Sequence, residues 1–242
     1  MTSSRRAGTS SPDLRGHGQS GRVQGRYHLA DYTEDIAAFL TGVVRESAVV
    51  YGHSLGGEVA VMMAAHHPAL ARAVVVGDVP FSTDNHPTQE PVHRAMNELW
   101  HRLAGRPAEI AAGLREMQVS VPGTTALVRA GDAFGEENPW FAFQATNLSQ
   151  LDPGVLAVVL EGPEIMLAGY DPEVLLPAIS CPVLILQADP VAGGLLSDGE
   201  VEKGLRLLPL ATHVRLEGIG HELHGRHAER VLEAITPFLD AV

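Results

Sequence analysis

The apolar positions of this chain gather into short runs of strand length, separated by longer stretches of helical character, and that alternation sets the expected architecture. Ala48-Val49-Val50-Tyr51, Ala73-Val74-Val75-Val76 and Cys181–Gln187 are continuous apolar runs with β-branched residues, and His213–Leu216 makes a fourth, final strand. Continuous runs of this length suit strands buried on both faces of a parallel sheet. Between the first two lies Glu58–His67, a helix-forming segment stopped by Pro68. Strand, helix, strand in this order is a βαβ unit. Further helices are expected from Asp31, as N-cap, to about Leu40, from Asp198 to Leu207, and from Ala228 to Leu239. The last is amphipathic through Val231, Leu232, Ile235, Phe238 and Leu239.

After Pro80 the pattern changes. From Ser82 to Leu176 no run reads convincingly as a strand, and helices over Val92–Ala104, Pro107–Val119 and Pro153–Ala168 are punctuated by Pro and Gly. With no flexible linker to isolate it, this stretch is expected to be a helical cap (82–176) inserted into a single α/β domain spanning residues 1–242. Trp100, Trp140, Phe141 and Phe143 fall inside it; most should pack the cap's own small core, with one or two facing a substrate pocket.

Composition narrows the function. A net charge of −12 argues against nucleic acid as a partner, since phosphate neutralisation needs clustered Lys and Arg. No apolar run reaches the length of a membrane span, and no apolar segment follows Arg5-Arg6, so neither a membrane partner nor a secretory or twin-arginine signal is expected. The one cysteine, Cys181, rules out an internal disulfide framework and fits a reducing cytoplasm, where we expect the protein to act on a small molecule. Twelve histidines are scattered, without a His-Glu-x-x-His pair or a cysteine cluster, so no metal and no cofactor is expected.

The first strand run delivers Gly52-His53-Ser54-Leu55-Gly56-Gly57 into the following helix. A serine at the apex of a sharp strand-to-helix turn is held out of the sheet, and the amides that open the helix favour an anion developing beside it. Gly52 and Gly56 are both expected to be glycine because the strand and helix backbones approach closely there. The structural alternative is a glycine-rich turn that happens to contain serine, a pattern common by chance.

Two further groups end apolar strands: Asp189, after Cys181–Gln187, and His221, after His213–Leu216. At the C-terminal edge of an open parallel sheet, that is where ligands and chemistry belong. A hydroxyl becomes a nucleophile when a near-neutral histidine takes its proton, and a carboxylate on the other imidazole nitrogen fixes the tautomer and stabilises the imidazolium. Asp189 leads as that carboxylate, with Asp78 (Val76-Gly77-Asp78) and Asp198 (Leu196-Ser197-Asp198) as alternatives. His17, His53 and His224 are expected to shape or support loops.

The order Ser, Asp, His resembles an α/β-hydrolase triad. Asp13-Leu14-Arg15-Gly16-His17-Gly18-Gln19-Ser20 is similar to that superfamily's Asp-x-Arg-Gly-x-Gly-x-Ser loop, Tyr32-Thr33-Glu34-Asp35 to the helix start that follows, and Gly218-Ile219-Gly220-His221 with His224 to its histidine loop. The resemblance covers nearly the whole chain outside the cap. It implies a mostly parallel α/β sheet with flanking helices, Ser54 as nucleophile, His221 as base and the Leu55 amide as an oxyanion donor. The activity it implies is hydrolysis of an ester, thioester or lactone of a small apolar acid through an acyl-enzyme, with C–C hydrolysis or cofactor-free perhydrolysis on the same scaffold, or non-catalytic ligand binding, as alternatives. It also implies an N-terminally truncated fold, because only a dozen polar residues precede Asp13 where the superfamily carries several strands and a His-Gly loop with the second oxyanion amide. A chain lacking those strands is expected to be weakly stable and poorly active.

Overall fold

The computed structural model describes residues 8–83, 86–120, 126–224 and 227–242. Six strands are present among them: β1 (Ala48–His53), β2 (Ala71–Gly77), β3 (Gln118–Ser120), β4 (Leu127–Arg129), β5 (Val183–Ala188) and β6 (Ala211–Leu216). The main sheet is parallel throughout, in the order β1-β2-β5-β6. It is flanked by α1 (Leu29–Phe39) and α2 (Leu55–His66). The stretch from β2 to β5 carries α3 (Pro91–Leu103), α4 (Pro107–Glu116), α5 (Ala130–Phe134), α6 (Pro139–Ser149), α7 (Pro153–Glu161), α8 (Pro163–Met166) and α9 (Pro172–Ala178). After β5 come α10 (Asp198–Leu207) and α11 (Ala228–Ala241).

The continuous apolar runs are strands covered on both sides, as their lack of alternation requires. Along β2, Val74 and Val76 point into one buried cluster with Val59, Met63, Tyr32 and Leu176, while Val75 points to the other face with Leu184, Leu186, Val231 and Ile235. The final helix buries Val231 and Ile235 and leaves Leu232 and Leu239 exposed, so its apolar stripe is narrower than the sequence pattern suggested.

Three local expectations are corrected. The first long helix starts earlier than Asp31: His28 is the N-cap, and Asp31 stands at the third helical position, its carboxylate accepting the His28 amide at 3.2 Å. The segment between β2 and β5 contains strands after all, since β3 and β4 pair antiparallel with Val119 opposite Val128; three-residue strands are too short to leave a period in the sequence. The helix expected over Pro153–Ala168 is broken at Gly162, whose φ of 119° is open only to glycine. In this segment Phe141 is buried and packs with Ile110, Leu114 and Leu148, Trp100 and Trp140 lean on the same cluster, and Phe143 is exposed.

The register of the main sheet places the site. His53 lies opposite Gly77, and Gly77 opposite Leu186. Ser54 and Asp78 are the next residues out of their strands and so emerge side by side. β5 continues through Ala188, which puts Asp189 two residues beyond Asp78's level, about 7 Å further along the strand direction.

Candidate active site

Ser54 sits at the sharp turn between β1 and α2 with φ 54° and ψ −130°, a strained backbone for a residue bearing a side chain. The turn is held by the Ser54 amide donating to the Gly77 carbonyl at 3.1 Å and by the Gly57 amide donating to the Ser54 carbonyl at 2.7 Å. A Cβ on Gly52 would run into the Gly56 carbonyl, and one on Gly57 into the Val79 side chain. Gly56, by contrast, faces open space. The close approach expected at Gly52 and Gly56 is therefore made at Gly52 and Gly57. Leu55 is the first residue of α2, where helical amides have no intrahelical acceptor.

A continuous hydrogen-bonded chain runs from Asp78 through His221 to Ser54. His221 Nδ1 lies 2.7 Å from Asp78 Oδ2, and His221 Nε2 lies 3.1 Å from Ser54 Oγ. With the carboxylate accepting at Nδ1, Nε2 is left to accept the serine proton. Asp78 is fully buried, has φ 47°, and also receives the amides of Ala188 (3.2 Å), Leu195 (2.9 Å) and Leu196 (3.1 Å). Burial alone would raise its pKa. The hydrogen bond from His221 and those amides outweigh burial and hold it below the ordinary carboxylate value.

Asp189 does not meet His221. Its carboxylate accepts the Val191 and Gly218 amides, both at 2.9 Å, and its own amide donates to the Ile219 carbonyl at 2.7 Å. Those amides hold it below its ordinary pKa too, Gly218 first. Asp189 thus ties the end of β5 to the loop that carries His221, and the two-residue overhang of β5 is the reason it cannot reach the imidazole. Asp198 is occupied elsewhere, capturing Arg215 and, at 2.9 Å, the Gln187 amide group.

Histidines pack behind the chain of three. The His53 ring lies 4.6 Å from that of His221 and 5.0 Å from that of His224, and His224 Nε2 pairs with the Tyr51 hydroxyl. Burial, and then its two imidazole neighbours, push the His53 pKa down to about 4. On the other side Glu58, one helical turn after Ser54, is buried and hydrogen-bonded to His86 Nε2 at 3.1 Å. Burial raises the Glu58 pKa. Sequence reasoning passed over the buried pair of Glu58 and His86; the available signal was a lone acidic residue, Glu58, directly before the apolar run from Val59 to Ala65.

A hydroxyl, imidazole and buried carboxylate in series at the C-terminal edge of a parallel sheet is a hydrolase arrangement, and residues 1–234 match the model of the alpha/beta hydrolase family. The chain belongs to that family. It is 28% identical over 234 residues to the 2-(acetamidomethylene)succinate hydrolase of Mesorhizobium japonicum, covering 95% of this chain and 77% of the relative. A solved structure of E-2-(acetamidomethylene)succinate hydrolase superposes with a TM-score of 0.64 at 25% identity, over 94% of this chain and 80% of that one. The enol-lactonase of Burkholderia xenovorans shares the fold, with a TM-score of 0.65 at 19% identity over 94% and 79% of the two chains. This alpha/beta hydrolase is accordingly an enzyme of hydrolase type, and among its described residues no helix is long and apolar enough to cross a membrane.

Proposed function

We propose that this alpha/beta hydrolase is a serine hydrolase that cleaves an ester, thioester or lactone of a small acid through an acyl-enzyme. The observation that carries the reading is the unbroken hydrogen-bonded series Asp78–His221–Ser54. Ser54 Oγ attacks the acyl carbon while His221 Nε2 takes its proton; the same imidazolium then protonates the departing alcohol or thiol. Asp78 keeps Nδ1–H directed at its carboxylate and stabilises the imidazolium. The Leu55 amide donates to the oxyanion of the tetrahedral intermediate. Water, deprotonated by His221, attacks the acyl-enzyme and releases the acid. Asp78 takes the role first assigned to Asp189.

In the same reading the chain is one domain whose residues 82–176 form a cap over the Ser54 edge of the sheet, and the substrate is a small molecule. The one cysteine, half-buried at Cys181, supports a cytoplasmic setting. The hydrolase name of the Mesorhizobium japonicum relative supports hydrolysis over perhydrolysis or non-catalytic binding, with carbon–carbon hydrolysis on the same scaffold as the alternative.

A fluorophosphonate probe tests the reading directly. Wild-type protein is expected to label stoichiometrically and to hydrolyse p-nitrophenyl butyrate, and Ser54→Ala to do neither. A folded wild-type protein that takes no label overturns it.

A further inference from the structure

His221 stands on a loop, and the contacts already described hold that loop only ahead of the imidazole. The Gly218 amide donates to the Asp189 carboxylate, and the Ile219 carbonyl accepts the Asp189 amide. Gly220 lies so close to the Ala192 carbonyl that an added Cβ would collide with it. Beyond His221 the chain turns back, the Leu223 amide donating to the His221 carbonyl at 2.8 Å. Leu223 then joins the buried cluster of Val75, Leu186 and Val231.

The next residue, His224, meets β1 at the edge of the sheet. Tyr51 and His53 are two residues apart on β1 and so share one face. Tyr51 lies opposite Val75 in the ladder, which places that face on the side of Leu223. A hydrogen bond joins the Tyr51 hydroxyl to His224 Nε2, with the two rings 5.3 Å apart at 72°. The His53 ring stands 5.0 Å from His224 and 4.6 Å from His221. Rings in contact thus lead from Tyr51 through His224 and His53 to the base. The Tyr51 hydroxyl also lies over Gly77, where an added Cβ would be 3.2 Å from it and 3.3 Å from Leu223 Cδ1. The Gly77 carbonyl accepts the Ser54 amide, and Asp78 is the residue that follows. Burial raises the Tyr51 pKa and lowers that of His224, which keeps both partners neutral.

We propose that the Tyr51–His224 hydrogen bond is a second clasp on the base loop and that both are positioning residues, fixing the His221 imidazole between Asp78 and Ser54. This rests on His221 being the base that serves Ser54. Proton transfer requires Nε2 within hydrogen-bond reach of the serine hydroxyl, so a loop tied only ahead of His221 leaves the imidazole free to swing. The clasp ties it behind, to the strand that delivers Ser54. Neither residue touches the reacting atoms, so its loss slows proton transfer without weakening substrate binding.

A double-mutant cycle of Tyr51→Phe and His224→Leu tests the clasp, read by the rate of fluorophosphonate labelling and by kcat and KM on p-nitrophenyl butyrate. Each single variant is expected to slow labelling and lower kcat about five- to tenfold, with KM within about twofold of wild type. The double variant should be no slower than the slower single, because either change breaks the same bond. His224→Gln, which offers a donor and an acceptor at similar reach, should recover most of the loss. Tyr51→Phe keeps a ring that is already 38% exposed, so its melting temperature should stay close to that of wild type. A wild-type labelling rate in Tyr51→Phe, losses that multiply in the double variant, or a rise in KM at constant kcat each overturn the proposal. Labelling of wild type keeps the two inferences apart. Labelled wild type with an unaltered Tyr51→Phe rate sinks the clasp alone, whereas a folded wild type that takes no label sinks the nucleophile and the clasp with it.

Discussion

Asp78 and Asp189 end adjacent strands of one sheet, both receive backbone amides, and both are held below the ordinary carboxylate pKa. Yet one faces an imidazole and the other a loop. The difference comes from strand length. Asp78 leaves β2 at the level of Leu186–Gln187 and turns back at φ 47° under the loop 188–196, which supplies three amides and covers it completely. Asp189 leaves β5 two residues later, overshoots the imidazole, and spends its oxygens on Val191 and Gly218. Position at a strand end thus does not select which carboxylate meets the imidazole; register does.

The largest expected effect tests that contrast by itself. Asp78→Asn should keep the shape of the site but let Nδ1 accept instead of donate, lowering kcat/KM on p-nitrophenyl butyrate by about 10³–10⁴. Asp189→Asn loosens one anchor of the His221 loop and should cost no more than about tenfold. Steady-state assays of the two purified variants decide it. Equal losses would mean that the loop tie matters as much as the direct contact.

A second contrast of the same kind lies in the elbow, between a position walled in by backbone and one that faces space. Gly52→Ala drives a methyl group into the Gly56 carbonyl and should destabilise the fold by about 3 kcal/mol or more. Gly56→Ala meets nothing and sits in the first turn of α2, where alanine is the better helix former by about 1 kcal/mol. Thermal or urea unfolding should therefore rank Gly56→Ala at or above wild type and Gly52→Ala far below it. Matching losses would show that the turn can shift to admit either side chain.

Much of this was legible in the chain itself, for identifiable reasons. β1, β2 and β5 announce themselves because strands covered on both faces must be apolar at every position, and α10 because Ser197 and Glu200 form a capping box around its start. Ser54 and His221 could be placed because strand-turn-helix context and chain order are sequence properties. The choice of Asp78 over Asp189 could not be read this way, because it depends on how far β5 runs past β2, a relation between distant segments. The exchange of Gly56 for Gly57 at the close approach has the same origin: which glycine faces Val79 depends on the rotation of α2. The partnership of Glu58 with His86 joins residues 28 positions apart across a loop and leaves no periodic trace.

The smallest expected effect concerns the acid limb of stability, where the Asp78 side of the site should differ from the Asp189 side. His53 stacks on the imidazole that Asp78 holds, and its pKa falls from an ordinary 6.5 to about 4 because burial and two neighbouring imidazoles disfavour its charge. A depressed folded-state pKa contributes stability that is complete above the unfolded value and is lost as pH falls through the folded one. For His53 that window runs from about pH 6.5 down to about 4, with an effect of about 2–3 kcal/mol. Asp78 obeys the same sign but acts lower, below its ordinary value of 3.8, as its contacts with His221 and the amides are lost to protonation. Unfolding free energies measured from pH 7 to 3 should therefore decline in two stages in wild type. His53→Gln should flatten the upper stage and leave the lower one, while Asp189→Asn should leave the upper stage untouched. An upper stage that survives in His53→Gln would assign that proton uptake to another group, with His224, whose pKa is also lowered by burial, the next to replace.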